Sequence, residues 1–486
     1  DPDVIRVEDT YYMVSTTMHF MPGCEILQSF DLVHWEHVTY VYETLDHTDA
    51  QQLKSGQNIY GQGMWAASLR YHEGRFYICF VANDTRKTYL YTSEKVSGPW
   101  KKQLIEGFYH DGSLLFDEDG RNYIVYGNDE IWITELNEDL TAPKKDGLHR
   151  LLVSDHKNPE LGYEGSHIQK INGYYYIFLI HSLRDRWMRT EACFYSDSLE
   201  GEFTGGDVLC DDRGYCGQGV AQGGIVDTPD GKWYAMLFQD SGAVGRIPIL
   251  LPVTWKDHFP FFGQNGHVPE EIEVHSTRPG YIYQPLVGSD DFCNGLLPRW
   301  QFNHDPDPRY YHLDALQGTY TITTREVCTE LTQAVNTLTQ RMSYPSCAAE
   351  VTVDASALKE GDVAGLCALQ GCYAAVGITK HHGKYEVLML DKKEDGILDM
   401  TEGTVVESHQ MDFRLEADFC NMKDEARCYY RVNKGDWLPI GTVHKLYFKL
   451  DHFTGCRFGL FCYAAEETGG SACFRDFKYY DVDEIL

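Results

Sequence analysis

The chain runs to 486 residues, more than one hydrophobic core usually serves, so two domains are the starting expectation. Its formal net charge of -31 repels phosphate backbones and anionic membrane surfaces, and no run of Lys and Arg forms a local basic patch, which argues against nucleic acid or membrane as a partner. No stretch reaches about 18 consecutive apolar residues, so the sequence contains no candidate membrane-spanning helix. The first half repeats one phrase in chain order: "VIRVEDTYYMVST", "SLRYHEGRFYICF", "SLLFDEDGRNYIVYG", "SHIQKINGYYYIFLI" and "GGIVDTPDGKWYAMLF". Each places Gly, Asp or Asn between two apolar or aromatic runs, where a hairpin turn needs unusual backbone angles. A spacing of roughly 45 to 65 residues leaves room for about four strands per unit, the period of a propeller blade, and five blades are expected over residues 1–280. The phrases "SFDLVHWE", "TSEKVSGPW", "TELNEDLTAP" and "YSDSLEGEFTG" recur after the hairpins and read as outer strands.

Beyond "PEEIEVHSTRPGYIYQPLVGSDDF" the repeat stops and short alternating runs such as "GTYTITT", "CAAEVTVDAS", "YEVLMLDKK" and "FGLFCYAA" follow at regular intervals. They predict an antiparallel β-sandwich over 289–486, so the chain reads as all-β, a five-bladed propeller followed by a sandwich. The 15 cysteines are scattered singly, often within apolar runs, without the short paired spacing of a zinc site. Buried free thiols, a reducing and therefore cytoplasmic compartment, and no metal ligands are the expectations. A start inside a strand motif reads as a truncated chain, in which a removed leader could not be seen, so secretion is the alternative expectation.

Acidic residues are abundant, so position within the repeat is the filter. In the first, third and fourth units a carboxylate stands at or just before the inner strand: Asp1 in "DPDV", Asp111 in "YHDGSLLF" and Glu164 in "GYEGSHIQK". If the blades superpose, these three lie at one level around the axis, where repulsion and burial raise at least one pKa and separate an acid from a base. Asp3 reads as a local backbone hydrogen-bonder.

The long phrases "DPDVIRVEDTYYMVSTT", "WAASLRYHEGRFY", "HDGSLLFDEDGRNYIVYG", "EGSHIQKINGYYY" and "AQGGIVDTPDGKWYAMLFQD" resemble glycoside hydrolase family 43, the propellers that include β-xylosidases and α-L-arabinofuranosidases. "LPRWQFNHDPDPRYYHL" and "AVNTLTQRM" resemble the concanavalin-like (jelly-roll) sandwich of its xylosidase branch. The resemblance implies Asp1 as general base, Glu164 as general acid and Asp111 as the carboxylate that orients the acid and tunes its pKa. It also implies Phe20, Trp65 and Arg246 as contacts to the sugar. For Arg246 an ion pair with a site carboxylate is the alternative, and for the two aromatics packing between blades. No organic cofactor is implied. A calcium ion associated with a fifth-blade His in many members is put in doubt here by Gln222, and Gly112 and Ser166 stand where prolines are common.

Inversion requires a base and an acid about 6.5–9.5 Å apart with a water between them. The expected function is an inverting exo-glycosidase that releases terminal D-xylose or L-arabinose from an oligosaccharide, in a pocket if a loop of the sandwich closes one end. A non-catalytic carbohydrate-binding propeller and an endo-arabinanase on the same fold are the alternatives. Neither the preferred pentose nor the oligomeric state follows from the sequence.

Overall fold

The computed structural model describes residues 1–481, which form strands joined by turns, with helix confined to short 3-10 turns. The five expected hairpins are present: Asp3–Val7 with Thr10–Val14, Met64–His72 with Arg75–Ala82, Ser113–Phe116 with Asn122–Asn128, Glu164–Ile171 with Tyr174–Ser182, and Ala221–Asp227 with Trp233–Asp240. Each is the inner half of a four-stranded antiparallel sheet, blades I to V. The innermost strands touch in a ring, with Asp3–Val7 meeting both Met64–His72 and Ala221–Asp227, so the fifth blade closes on the first.

Period-two alternation explains why blades stack. In "RFYICFVA", Phe76, Ile78 and Phe80 pack with Val14, Ile26 and Tyr42 of blade I, whereas Cys79 packs with Leu114 and Ile124 of blade III. Each fully buried Ile or Phe in such a layer contributes about 1.5–3 kcal/mol. The axis is tied by polar groups. Arg70 donates from Nη1 to Asp3 Oδ2 (2.8 Å), from Nε to the Leu114 carbonyl (2.9 Å) and from Nη2 to Ser113 Oγ (2.7 Å), joining blades I, II and III. Asp3 is therefore no local turn former: its carboxylate also takes the Leu69 amide at 2.7 Å and faces His167 Nδ1 at 3.1 Å.

The phrases read as outer strands are corrected by the structure. They end the third strand of a blade and form the turn ahead of the fourth, which begins at Glu36, Lys101, His149 or Thr204. Their Asp, Asn and Ser side chains bond nearby amides: Asp31 Oδ1 accepts from Val33 (2.9 Å) and His34 (2.8 Å), and Asn137 Oδ1 from Thr141 (2.8 Å).

Blade V ends at Phe262, and an irregular segment leads to two sheets built from Gln301 onward, one nine-stranded and one seven-stranded. Their facing sides enclose a core that includes Trp300, Val351, Leu366, Phe413 and Phe474. Residues 482–486 of the expected sandwich lie outside the described residues. One edge of the nine-stranded sheet is supplied by the propeller: Phe20–Met21 leaves blade I and pairs with Gln301–Asn303. All 15 cysteines are unbridged, and Cys210, Cys216, Cys293 and Cys420 are exposed rather than buried. Among the described residues no helix is long and apolar enough to cross a membrane.

Candidate active site

Local irregularity is what aims the hub residues. The inner strands of blades II, IV and V each shift register near their first residue, between Met64 and Ala67, Glu164 and His167, and Ala221 and Gly224. Such bulges re-aim side chains at the rim of a sheet, and they contain Trp65, Gly165 and Gln222. Gly165 adopts φ +66°, a built Cβ would meet Gln222 at 2.6 Å, and its amide donates to Asp111 Oδ2 at 3.1 Å. Gly112 is equally constrained, since a Cβ there would meet Ile124 Cδ1 at 2.9 Å and the Tyr109 carbonyl at 3.0 Å. The packing beside Asp111 therefore leaves no room for a side chain at this position.

Asp1 is held from two sides. Its Oδ1 forms an ion pair with Arg246 Nη1, and its Oδ2 accepts from Thr16 Oγ1 at 2.5 Å. The Arg246 guanidinium lies between the rings of Phe238 (4.4 Å) and Phe453 (4.3 Å), and its Nε donates to Asp240 at 3.2 Å, which in turn pairs with Arg189. The ion pair foreseen for Arg246 is thus present. Asp111 and Glu164 face each other across His110, whose Nε2 is 3.5 Å from Asp111 Oδ2 and 3.4 Å from Glu164 Oε2, while Asn128 Nδ2 donates to Glu164 Oε2 at 2.6 Å.

Burial raises the Asp111 carboxyl above the ordinary carboxylate range, and the charge of Glu164 adds to the rise. The Asp111 charge in turn lifts His110 to about 9. Burial also pushes Glu164 upward, but the hydrogen bond and charge of His110, with Arg189 and Arg246, bring it below its ordinary value. In this state the proton of the group rests on His110 rather than on Glu164.

A cavity of about 500 Å³ opens beside Asp1, lined there by Thr16, Arg246, Phe238, Phe453 and Thr454. Asp111 and Glu164 are not in its lining. What joins them to it is Arg246, which bonds Asp1 and draws down the pKa of both. Phe453 and Thr454 belong to the sandwich, so one of its loops closes the site. Trp65 stands at this junction, edge-on to His110 (6.0 Å) and Phe453 (5.7 Å). Phe20 does not: it is fully buried in the strand that joins the sandwich sheet, with the Arg457 guanidinium 3.6 Å over its ring. Its expected place on the sugar wall is corrected, because the strand it occupies turns away from the hub.

Sequence reasoning did not find His110, Asn128 or Phe453. The first adjoins Asp111 in "YHDG", and a histidine beside a candidate carboxylate was a usable signal. Phe453 carries none, lying in an irregular segment of the other domain. At Gln222, where calcium was in question, the nearby carboxyl is Glu191, which accepts the Gln222 amide at 2.7 Å and whose Oε1 has no protein partner. Burial pushes Glu191 well above the carboxylate range. A carboxyl held toward neutrality is a poor ligand for calcium, which takes six to eight oxygens.

A five-bladed hub that gathers carboxylates, an arginine and aromatic rings beside a cavity is suited to glycoside hydrolysis, and the family match makes the chain a glycoside hydrolase. Residues 1–260 match the model of glycosyl hydrolases family 43, and residues 289–480 match that of the β-xylosidase C-terminal concanavalin A-like domain. The chain belongs to glycosyl hydrolase family 43. A β-xylosidase of Formosa agariphila is 26% identical over 99% of this chain and 87% of its own length. A non-reducing end α-L-arabinofuranosidase of Bacteroides ovatus is 24% identical over 65% of this chain and 62% of its own. Among solved structures, a bifunctional GH43-CE protein of Bacteroides eggerthii superposes with a TM-score of 0.91 and 42% identity over 99% of this chain, which spans 62% of that one.

Proposed function

We propose that this glycoside hydrolase is an exo-acting, inverting enzyme that releases terminal D-xylose or L-arabinose from short xylo- or arabino-oligosaccharides. The observations that carry the reading are Asp1, bonded to Arg246 on the cavity, and Asp111 with Glu164 grouped about His110. Asp1, fixed by Arg246 and Thr16, takes the proton of the attacking water. Glu164 gives a proton to the leaving oxygen, and Asp111 keeps that proton available by its negative charge. In the free hub that proton sits on His110, whose Nε2 is 3.4 Å from Glu164 Oε2, so Glu164 must take it up before it can act. The wall contributed by Phe453 and Thr454 favours chain ends over chain interiors, and the names of the xylosidase and arabinofuranosidase relatives support a pentose. No organic cofactor takes part in these steps.

The test is a panel of nitrophenyl pentosides with the anomeric product followed by NMR. Release of xylose or arabinose as the inverted anomer is expected, with loss of turnover in Asp111→Asn. Retention of configuration would end the water-mediated reading, and sugar binding without release of nitrophenol would make the propeller a binding module.

A further inference from the structure

The contacts of His110 are long for hydrogen bonds. The nitrogen stands 3.5 Å and 3.4 Å from the two carboxylate oxygens, and the three atoms lie within 4.8 Å of one another, whereas N–H···O bonds cluster at about 2.7–3.2 Å. A tetrahedral centre with ligands at about 2.0–2.2 Å places its ligand atoms about 3.3–3.5 Å apart, so the two measured separations match two edges of such a tetrahedron. One imidazole nitrogen and two carboxylate oxygens, with a fourth position open, are a donor set that zinc accepts and that supplies too few oxygens for calcium. Two further bonds fix the donors: the Gly165 amide on Asp111 Oδ2 (3.1 Å) and Asn128 Nδ2 on Glu164 Oε2 (2.6 Å).

We propose that His110, Asp111 and Glu164 form a binding site for a zinc-class divalent cation. Binding displaces the proton that His110 otherwise carries, and the ion is an inhibitor rather than a cofactor, a consequence that rests on the hydrolytic reading, because it occupies the Glu164 oxygen that must carry the proton.

The test titrates Zn²⁺ into chelator-treated protein by calorimetry and locates the ion by anomalous diffraction at the zinc edge. One ion per chain on these three residues is expected. Affinity should fall in His110→Phe and in Asp111→Asn by at least about tenfold, the loss that removal of an outer-shell partner alone produces. If His110→Phe does not fold, Asp111→Asn carries the comparison. An anomalous peak elsewhere, or wild-type affinity in the folded variants, overturns the site. Hydrolysis of a nitrophenyl pentoside is measured in parallel. Inhibition reversed by EDTA supports both statements, while zinc on the trio with undiminished hydrolysis upholds the site and overturns the role given to Glu164.

Discussion

At the hub, Asp1, Asp111 and Glu164 each reach a charged or polar partner, in Arg246 and Thr16, the Gly165 amide, and Asn128. At the seam between the domains, His19, His304 and His452 are fully buried and packed ring against ring, His19 lying 4.7 Å from His304 and 5.3 Å from His452, with Tyr60 against all three. Among the described residues no nitrogen of His19 or His452 has a hydrogen-bond partner. The two clusters show two ways of burying polar groups. The hub keeps charge by compensating it, which is what a site that moves protons requires, whereas at the seam burial keeps His19 and His304 neutral.

The largest difference is expected in catalysis. Asp1→Asn preserves an acceptor for Thr16 but removes the base, so kcat should fall about 10²- to 10⁴-fold while the urea midpoint stays near that of the parent. Steady-state rates and equilibrium unfolding of the same preparation check both halves. A large loss of stability with unchanged kcat would make the hub a structural cluster like the seam.

Acid should act on the seam. Burial, then the neighbouring histidines and Arg457, holds His19 well below its ordinary value, and burial with His452 lowers His304 to about 3. Unfolding returns both to about 6.5. Below that pH the unfolded chain binds more protons, so their contribution is complete above 6.5 and is lost as pH falls toward 3. From pH 6.5 to 5 His304 should remove about 1.6 kcal/mol of stability, with His19 acting in the same direction. His110, raised to about 9, loses its contribution only as pH rises above 6.5, so it does not disturb this interval. Urea midpoints that do not change between pH 6.5 and 5 would show that the seam opens before it titrates.

Within the seam hydrogen bonding separates two similar rings. His304 Nε2 accepts the buried Ile59 amide at 3.0 Å and its Nδ1 stands 3.4 Å from Asn303 Oδ1, whereas His19 bonds nothing among the described residues. His304→Phe and His19→Phe add the same volume, but only the first strands an amide. At neutral pH His304→Phe should be the less stable by about 1–3 kcal/mol, read from the two unfolding midpoints. Equal values would mean that water replaces the lost bond.

Much of this was legible in the sequence because it repeats. Turn residues between period-two runs placed all five hairpins, and position within the repeat picked out Asp1, Asp111 and Glu164 from among many acids. What did not repeat was not legible. The strand Phe20–Met21 looks like a continuation of blade I, and only its pairing with Gln301–Asn303, far along the chain, draws Phe20 into the sandwich. The contact of His110 with Glu164 depends on the blade IV bulge, a backbone feature that residue types alone do not announce. The connecting phrases misread as strands carry enough apolar residues to look like them, and their Asp and Asn side chains decide otherwise by bonding local amides.

Phe453 belongs to both clusters at once, for it directly follows His452 in the sandwich loop and covers Arg246 at 4.3 Å and Trp65 at 5.7 Å. Phe453→Ala removes one face of the guanidinium sandwich but leaves the ion pair to Asp1, so the loss should be that of a cation–π contact, about 0.5–2 kcal/mol. In kinetic terms kcat/KM on a nitrophenyl pentoside should drop about 2- to 30-fold. Because the truncated side chain also opens the wall, longer oligosaccharides should lose less than short ones. Measuring kcat/KM against chain length in parent and variant checks this, and an identical length profile in the two would show that the sandwich loop steadies Arg246 without bounding the substrate.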